Sequence, residues 1–146
     1  ILCDTGAKIG TPDMWEARVG AILSDGIPAM ADAVMERWFT EDFRANDPTF
    51  PLWRNMLCRT TAGGYAGTCA AIRDTDLRES TSLLQIPCLG LCGDQDLATP
   101  PDLVRETTEL IAGSSFQLIK GAGHIPCVEQ PGQTAAAITS FLESSI

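Results

Sequence analysis

Between residues 86 and 142 the sequence runs twice through strand, polar loop and helix, and this repetition constrains the fold more than any other feature. Residues 86–92, IPCLGLC, are a short apolar run entered at a proline and left through Gly93, the pattern of a strand buried on both faces of a parallel sheet. GDQDLATPP follows as a polar loop. Thr99 with Pro100 and Pro101 predicts the start of a helix carrying Leu103, Val104, Leu110 and Ile111, which Gly113 ends. Residues 116–119 predict a second strand, GAGH the turn beyond it, and 133–142 a last helix with Ile138, Phe141 and Leu142 on one side. Strands joined through helices in this way pair in parallel, because the crossover helix packs back onto the sheet. The class is α/β.

The preceding segment obeys a different rule. Thr11 and Pro12 read as an N-cap and first helical position, and Trp15, Val19, Ile22 and Leu23 then recur at helical spacing until Gly26. Pro28 opens a second helix with a stripe of Met30, Ala31, Val34, Met35 and Trp38, broken by FTEDFRANDP. Helices are also expected over 50–60 and 64–73. Nothing from 12 to 84 alternates with a period of two, so this stretch reads as a helical insert. The first residues, ILCDT, read as a short buried strand whose partners lie elsewhere in the sheet. The expected organisation is a core strand and loop over 1–11, a helical cap over 12–84, and the rest of the core over 85–146, together the back part of something larger.

Charge narrows the function. Ten Lys and Arg against 19 Asp and Glu give a formal net charge of −9, which repels nucleic acid and anionic membranes alike. No apolar run approaches membrane-spanning length and no signal-peptide pattern opens the chain, so a cytoplasmic location is expected. The six cysteines are scattered through apolar neighbourhoods and read as buried, reduced thiols. Cys88 and Cys92 alone, with one distant histidine, are poor zinc spacing, so no metal site is expected.

That histidine, His124, lies in GAGHIPCVEQP, directly after the second predicted strand. Ligands of open α/β sheets gather at the carboxyl ends of the strands, and both GDQD and GAGH leave strands there, which sets Asp94, Asp96 and His124 on one rim. An imidazole that shuttles protons needs a carboxylate to fix its tautomer, and glycines allow a tight turn to present it to a cleft.

GDQD followed about thirty residues later by GAGH, ahead of a final helix, resembles the C-terminal portion of an α/β-hydrolase fold, whose catalytic triad runs Ser, Asp, His. The strings AKIGTPDMWEAR, MERWFTEDFR, TPPDLVRETTELI and GAGHIPCVEQP are similar to those of the 3-oxoadipate enol-lactonases, which open an enol-lactone in the β-ketoadipate pathway of aromatic degradation. The resemblance implies that Asp96 is the triad acid and His124 the base, with Asp94 a turn residue. It implies that Trp15, Arg37 and Trp38 line an apolar, cationic pocket for a small lactone or ester bearing a carboxylate. It calls for no metal or organic cofactor.

One departure is large. The family's nucleophile sits in a G-x-S-x-G elbow, and no such string occurs in these residues; GLCGD offers a cysteine but lacks the second glycine. The expectation is a C-terminal part whose partner is a missing N-terminal half carrying the serine, and which is inactive alone. Two alternatives stand beside it: another α/β-hydrolase (esterase, perhydrolase or dehalogenase), or a non-catalytic piece retaining the cap cleft.

Overall fold

A computed structural model describes residues 1–145. Three strands form one parallel sheet in the order β1-β2-β3: β1 (Leu2–Cys3), β2 (Leu89–Gly93) and β3 (Ser115–Ile119). Leu2 lies opposite Gly90, and Leu89 through Gly93 run opposite Ser115 through Ile119.

β2 is the centre of this sheet, and all five of its residues are buried. Its two faces are covered by different helices. Leu89 and Leu91 pack with Ile119, Ala122 and Ala137, which belongs to α9 (Pro131–Ser145). On the other face, a Cβ at Gly90 would lie 2.0 Å from the Thr108 hydroxyl of α7 (Pro101–Glu109), so only glycine lets this helix sit so close. The apolar run is a doubly covered strand, but it starts at Leu89: Ile86 is exposed and Pro87, which has no N–H to give a ladder, stays outside. β1 is less enclosed than the sequence suggests, with Leu2 half-buried and Cys3 exposed.

Between β1 and β2 the described elements are helical: α1 (Pro12–Asp25), a 3-10 turn at Ile27–Ala29, α2 (Ala31–Trp38), α3 (Glu41–Asn46), α4 (Phe50–Cys58), α5 (Ala62–Asp74) and α6 (Arg78–Ser82). Thr11 caps α1 by accepting from the Met14 amide, and Pro12 occupies its first turn. The FTEDFRANDP stretch holds α3, which Thr40 caps by accepting from the Phe43 amide. Trp15, Ile22, Ile27, Val34, Met35, Phe39 and Leu57 share a core separate from that of the sheet. Ile125 and Val128, from the turn beyond β3 and α8 (Pro126–Glu129), pack against it and tie the two layers together.

All six cysteines are free thiols, but only Cys69, Cys88 and Cys92 are buried; Cys3 and Cys127 are exposed and Cys58 is intermediate. Cysteines in short or edge elements lack a second layer to cover them. Among the described residues no helix is long and apolar enough to cross a membrane.

Candidate active site

The loops that leave β2 and β3 are laced together before either presents a functional group. The Asp94 amide donates to the Ile119 carbonyl (3.0 Å) and the Gln95 amide to that of Ala122 (2.9 Å). A Cβ at Gly93 would fall 2.0 Å from the Gly123 carbonyl oxygen, which explains a glycine at this crossing. Asp94 is part of the lacing. Its carboxylate accepts from the Gly121 amide (2.8 Å) and lies 3.5 Å from Lys120 Nζ, so it holds the turn and not the imidazole.

Asp96 does the opposite. It is only 1% exposed, and its carboxylate has four N–H and O–H donors: Oδ1 accepts from the Ala98 and Thr99 amides (2.7 and 3.1 Å), and Oδ2 from the Thr99 hydroxyl (2.8 Å) and from His124 Nδ1 (2.9 Å), with the Cys92 thiol a longer contact to Oδ2 at 4.0 Å. Burial works against its charge, but His124, Thr99 and the Ala98 amide outweigh it and hold the carboxyl below the ordinary value of 3.8. An ionised carboxylate only accepts, so it requires a proton on His124 Nδ1 and leaves Nε2 as the basic nitrogen of the neutral ring. Thr99 Oγ1, 3.2 Å from Nδ1, braces the same contact. Thr99 was expected to begin a helix; α7 begins at Pro101, and the Thr99 side chain serves the carboxylate instead.

His124 is anchored from the helical layer. Its backbone N–H donates to the Trp38 carbonyl (2.8 Å), and the Trp38 ring lies 6.3 Å from the imidazole between centroids. Glu129 fastens the same seam: it accepts from the Thr40 amide (2.9 Å) and hydroxyl (2.6 Å) with one oxygen, and from the Gly123 amide (2.6 Å) with the other. Its place in HIPCVEQP carries no sign of this role, because the partner Thr40 is 89 residues away.

A cavity of about 350 Å³ opens beside the imidazole between the helices and the loops. Trp15, Arg37 and Trp38 line it with His124, and so do Arg18, Tyr65 and Asp4, which sequence reasoning passed over. Trp15 is fixed by its indole N–H, which donates to the Ile9 carbonyl (2.6 Å). Arg37 is partly spent on the loop holding Asp96: Nε donates to the Leu97 carbonyl (3.1 Å) and one Nη to that of Ala98 (3.3 Å).

Asp4 directly follows β1 in a left-handed conformation (φ 46°) and is 7% exposed. It accepts from the Gly93 amide (2.9 Å) and the Cys3 thiol (2.9 Å). Burial, helped by the nearby Asp96 charge and opposed by these hydrogen bonds and by His124, pushes its carboxyl up to about 6. Asp4, Cys92 and Asp96 bring ligand atoms within 4.8 Å of one another, but both Asp96 oxygens are committed to the four donors above. Burial, with the Asp4 and Asp96 charges, pushes the Cys92 thiol up, so this cysteine is neither a ready metal ligand nor a nucleophile.

The geometry has close counterparts in known proteins. It superimposes on the enol-lactonase of Burkholderia xenovorans LB400 with a TM-score of 0.91 at 34% identity, over 97% of this chain and 54% of that one. A hydrolase from Pseudomonas aeruginosa PA01 gives 0.89 at 31% identity, over the same shares. The chain folds as the C-terminal portion of an α/β-hydrolase. In sequence it resembles 3-oxoadipate enol-lactonases 2 and 1 of Acinetobacter baylyi, at 33% and 30% identity over 144 residues, 98% of this chain. It spans about half the length of these curated relatives, 54% of each. A thermophilic esterase from Thermogutta terrifontis shares the fold at a TM-score of 0.87 and 28% identity. No family model matches the chain.

Proposed function

We propose that these residues supply the acid, the base and the substrate pocket of an α/β-hydrolase that opens a small lactone, and that the nucleophile belongs to a part of the enzyme outside them. The observation that carries this reading is the buried Asp96 carboxylate held 2.9 Å from His124 Nδ1, with the imidazole on the wall of a cavity. In this reading a serine attacks the lactone carbonyl while His124 Nε2 takes its proton. The tetrahedral intermediate collapses, the ring C–O bond breaks, and His124 returns the proton to the leaving oxygen. Water, deprotonated by the same nitrogen, then releases the acid and the serine. Asp96 holds the tautomer and stabilises the imidazolium. Residues 12–84 act as the cap that closes the cavity over the rim of the sheet, while 1–11 and 85–146 belong to the core.

The relatives' names support 3-oxoadipate enol-lactone as the substrate and the β-ketoadipate pathway as the setting. Six unbridged thiols agree with a reducing, cytoplasmic compartment. A carboxylic ester substrate is the second reading, favoured by the likeness to the thermophilic esterase. The test is the loss of enol-lactone absorbance with three proteins: the full-length enzyme, its His124→Ala variant, and residues 1–146 alone. Turnover by the first only is expected. Turnover by residues 1–146 at the full-length rate, lost on His124→Ala, would place a nucleophile within this chain and overturn the reading.

A further inference from the structure

Asp4 is a buried carboxylate held where neither its backbone nor its hydrogen bonds require a charge. It is the only non-glycine residue of positive φ among those described, a backbone state that disfavours most side chains. Its hydrogen-bond partners, the Gly93 amide and the Cys3 thiol, are uncharged. Among the described residues no lysine, arginine or histidine nitrogen lies within 4.0 Å of its carboxylate. An asparagine would tolerate the same backbone and accept from the same amide, so what the aspartate adds is its negative charge.

The surroundings hold one user of that charge. The three strands are parallel, so Asp4, the Asp96 loop and the His124 turn leave the sheet at one rim. Asp4 lines the cavity with His124, and a carboxylate oxygen of Asp4 lies within 4.8 Å of one on Asp96, whose Oδ2 accepts from His124 Nδ1. Facing Asp4 are Cys3, Cys92, Asp96 and His124. Cys127 of α8 stands near Cys3, and Arg18, Arg37 and Tyr65 of the helical layer line the same cavity. Burial first pushes both the Cys3 and Cys92 thiols up, so they stay neutral, and the arginines keep their charge throughout. His124 is left as the group whose charge changes beside Asp4. Burial, with the nearby Asp96 charge, pushes Asp4 up to about 6, and His124 pulls it the other way. Two carboxylates this close repel, and a positive charge on His124 relieves them both. A proton-shuttling imidazole is neutral before the reaction and cationic in the transition state, so this relief lowers the barrier.

We propose that Asp4 is a positioning residue of the catalytic centre, a second carboxylate that stabilises the His124 imidazolium by charge from the end of β1, while Asp96 does so by hydrogen bond from the loop after β2. This rests on the reading of His124 as the base and extends it. Asp96 fixes the tautomer; Asp4 makes no hydrogen bond to the ring and acts through its field alone. The charge that favours the imidazolium is the one that burial disfavours, so removing it is expected to slow the enzyme and stabilise the fold. A merely structural carboxylate would lose both together.

The test follows kcat/KM for the enol-lactone between about pH 5 and pH 8 in the full-length enzyme and its Asp4→Asn variant, with circular dichroism to confirm folding. Near pH 5, where Asp4 is mostly protonated in the wild type, the two proteins should agree within about twofold. Near pH 8, where Asp4 is ionised, the wild type should be faster by about tenfold or more. A ratio that stays constant with pH, or a variant as fast as the wild type at the upper end, would overturn the proposal. A second measurement needs no substrate: proton uptake by the His124 imidazole, followed by NMR and assigned with His124→Ala. The midpoint of that uptake should fall by about half a pH unit or more in Asp4→Asn, a tenfold effect muted because Asp4 is itself partly protonated in that range. If neither protein turns over the lactone yet the midpoint falls, the lactonase reading fails and the second carboxylate stands. If the midpoint does not move, the proposal falls whatever the enzyme hydrolyses.

Discussion

Replacing Asp96 by Asn keeps the shape of the side chain and reverses what one of its two ends can do. In the wild type, Oδ1 accepts from two amides at 2.7 and 3.1 Å, and Oδ2 accepts from the Thr99 hydroxyl at 2.8 Å and His124 Nδ1 at 2.9 Å. The Asn oxygen will stay with the two backbone amides, which cannot turn away. Its NH2 group then faces Thr99 and His124, where two donors point at it. The hydroxyl can rotate to accept. The imidazole can accept only by moving its proton to Nε2, and a ring protonated at Nε2 is no longer the base that faces the nucleophile. The expected loss in kcat is about 10³ to 10⁴-fold at neutral pH, or roughly 4 to 5.5 kcal/mol of transition-state stabilisation. Thr99→Val is the matched control, since it removes one hydroxyl and leaves the carboxylate; it should cost about tenfold or less, consistent with one hydrogen bond of about 1 kcal/mol. The assay is steady-state hydrolysis of the enol-lactone by the full-length enzyme, with circular dichroism to confirm folding. Retention of kcat within tenfold in a folded Asp96→Asn protein would refute the tautomer argument.

Two further substitutions test the surroundings. Asp4 has a folded pKa raised from 3.8 to about 6, so its contribution to stability is fully present below 3.8 and declines as pH rises through 6. Asn tolerates the left-handed backbone at this position and can still accept from the Gly93 amide, so Asp4→Asn should raise stability at pH 7.5 by up to about 3 kcal/mol, with little change at pH 3.5. Denaturant melts at the two pH values check this, and a difference that does not vary with pH would contradict it. Asp96 behaves with the opposite sign: its lowered pKa gives stability that is present above 3.8 and is lost as pH falls through the folded value. Glu129→Ala should cost about 2 to 4 kcal/mol, because it strands the Thr40 and Gly123 amides at the seam between the helices and the His124 loop. Thermal unfolding measures this, and a Tm unchanged within a degree would show that the seam is held by other contacts.

Much of the fold was legible because its signals are local. Thr11 and Pro12 announce α1, and the run LGLCG needs only its apolar character to read as a central strand. The placement of GDQD and GAGH on one rim followed from strand polarity alone. What stayed hidden depends on partners distant in sequence. Asp4 directly follows a strand, as the GDQD loop does, yet nothing in ILCDT shows that its carboxylate turns back to the Gly93 amide 89 residues away. Arg18 sits at the end of AKIGTPDMWEAR, but a string cannot show that its side chain lies over the Trp15 ring on the cavity wall. The α3 helix was missed because six residues are too few for a periodic stripe, and its evidence lies in the Thr40 cap. Thr99 was misread because a threonine before two prolines looks like a helix start, and the competing demand of a buried carboxylate cannot be seen without the fold.

The central claim is that His124, oriented by Asp96, removes the proton from a hydroxyl nucleophile. The most direct measurement is the second-order rate at which a fluorophosphonate probe labels the full-length enzyme, because this reaction needs an activated nucleophile but no particular substrate. Labelling of the wild type at a rate that falls by about 10³-fold or more in His124→Ala is the predicted result. Labelling of His124→Ala at the wild-type rate would contradict it, since the nucleophile would then be activated by something other than this imidazole.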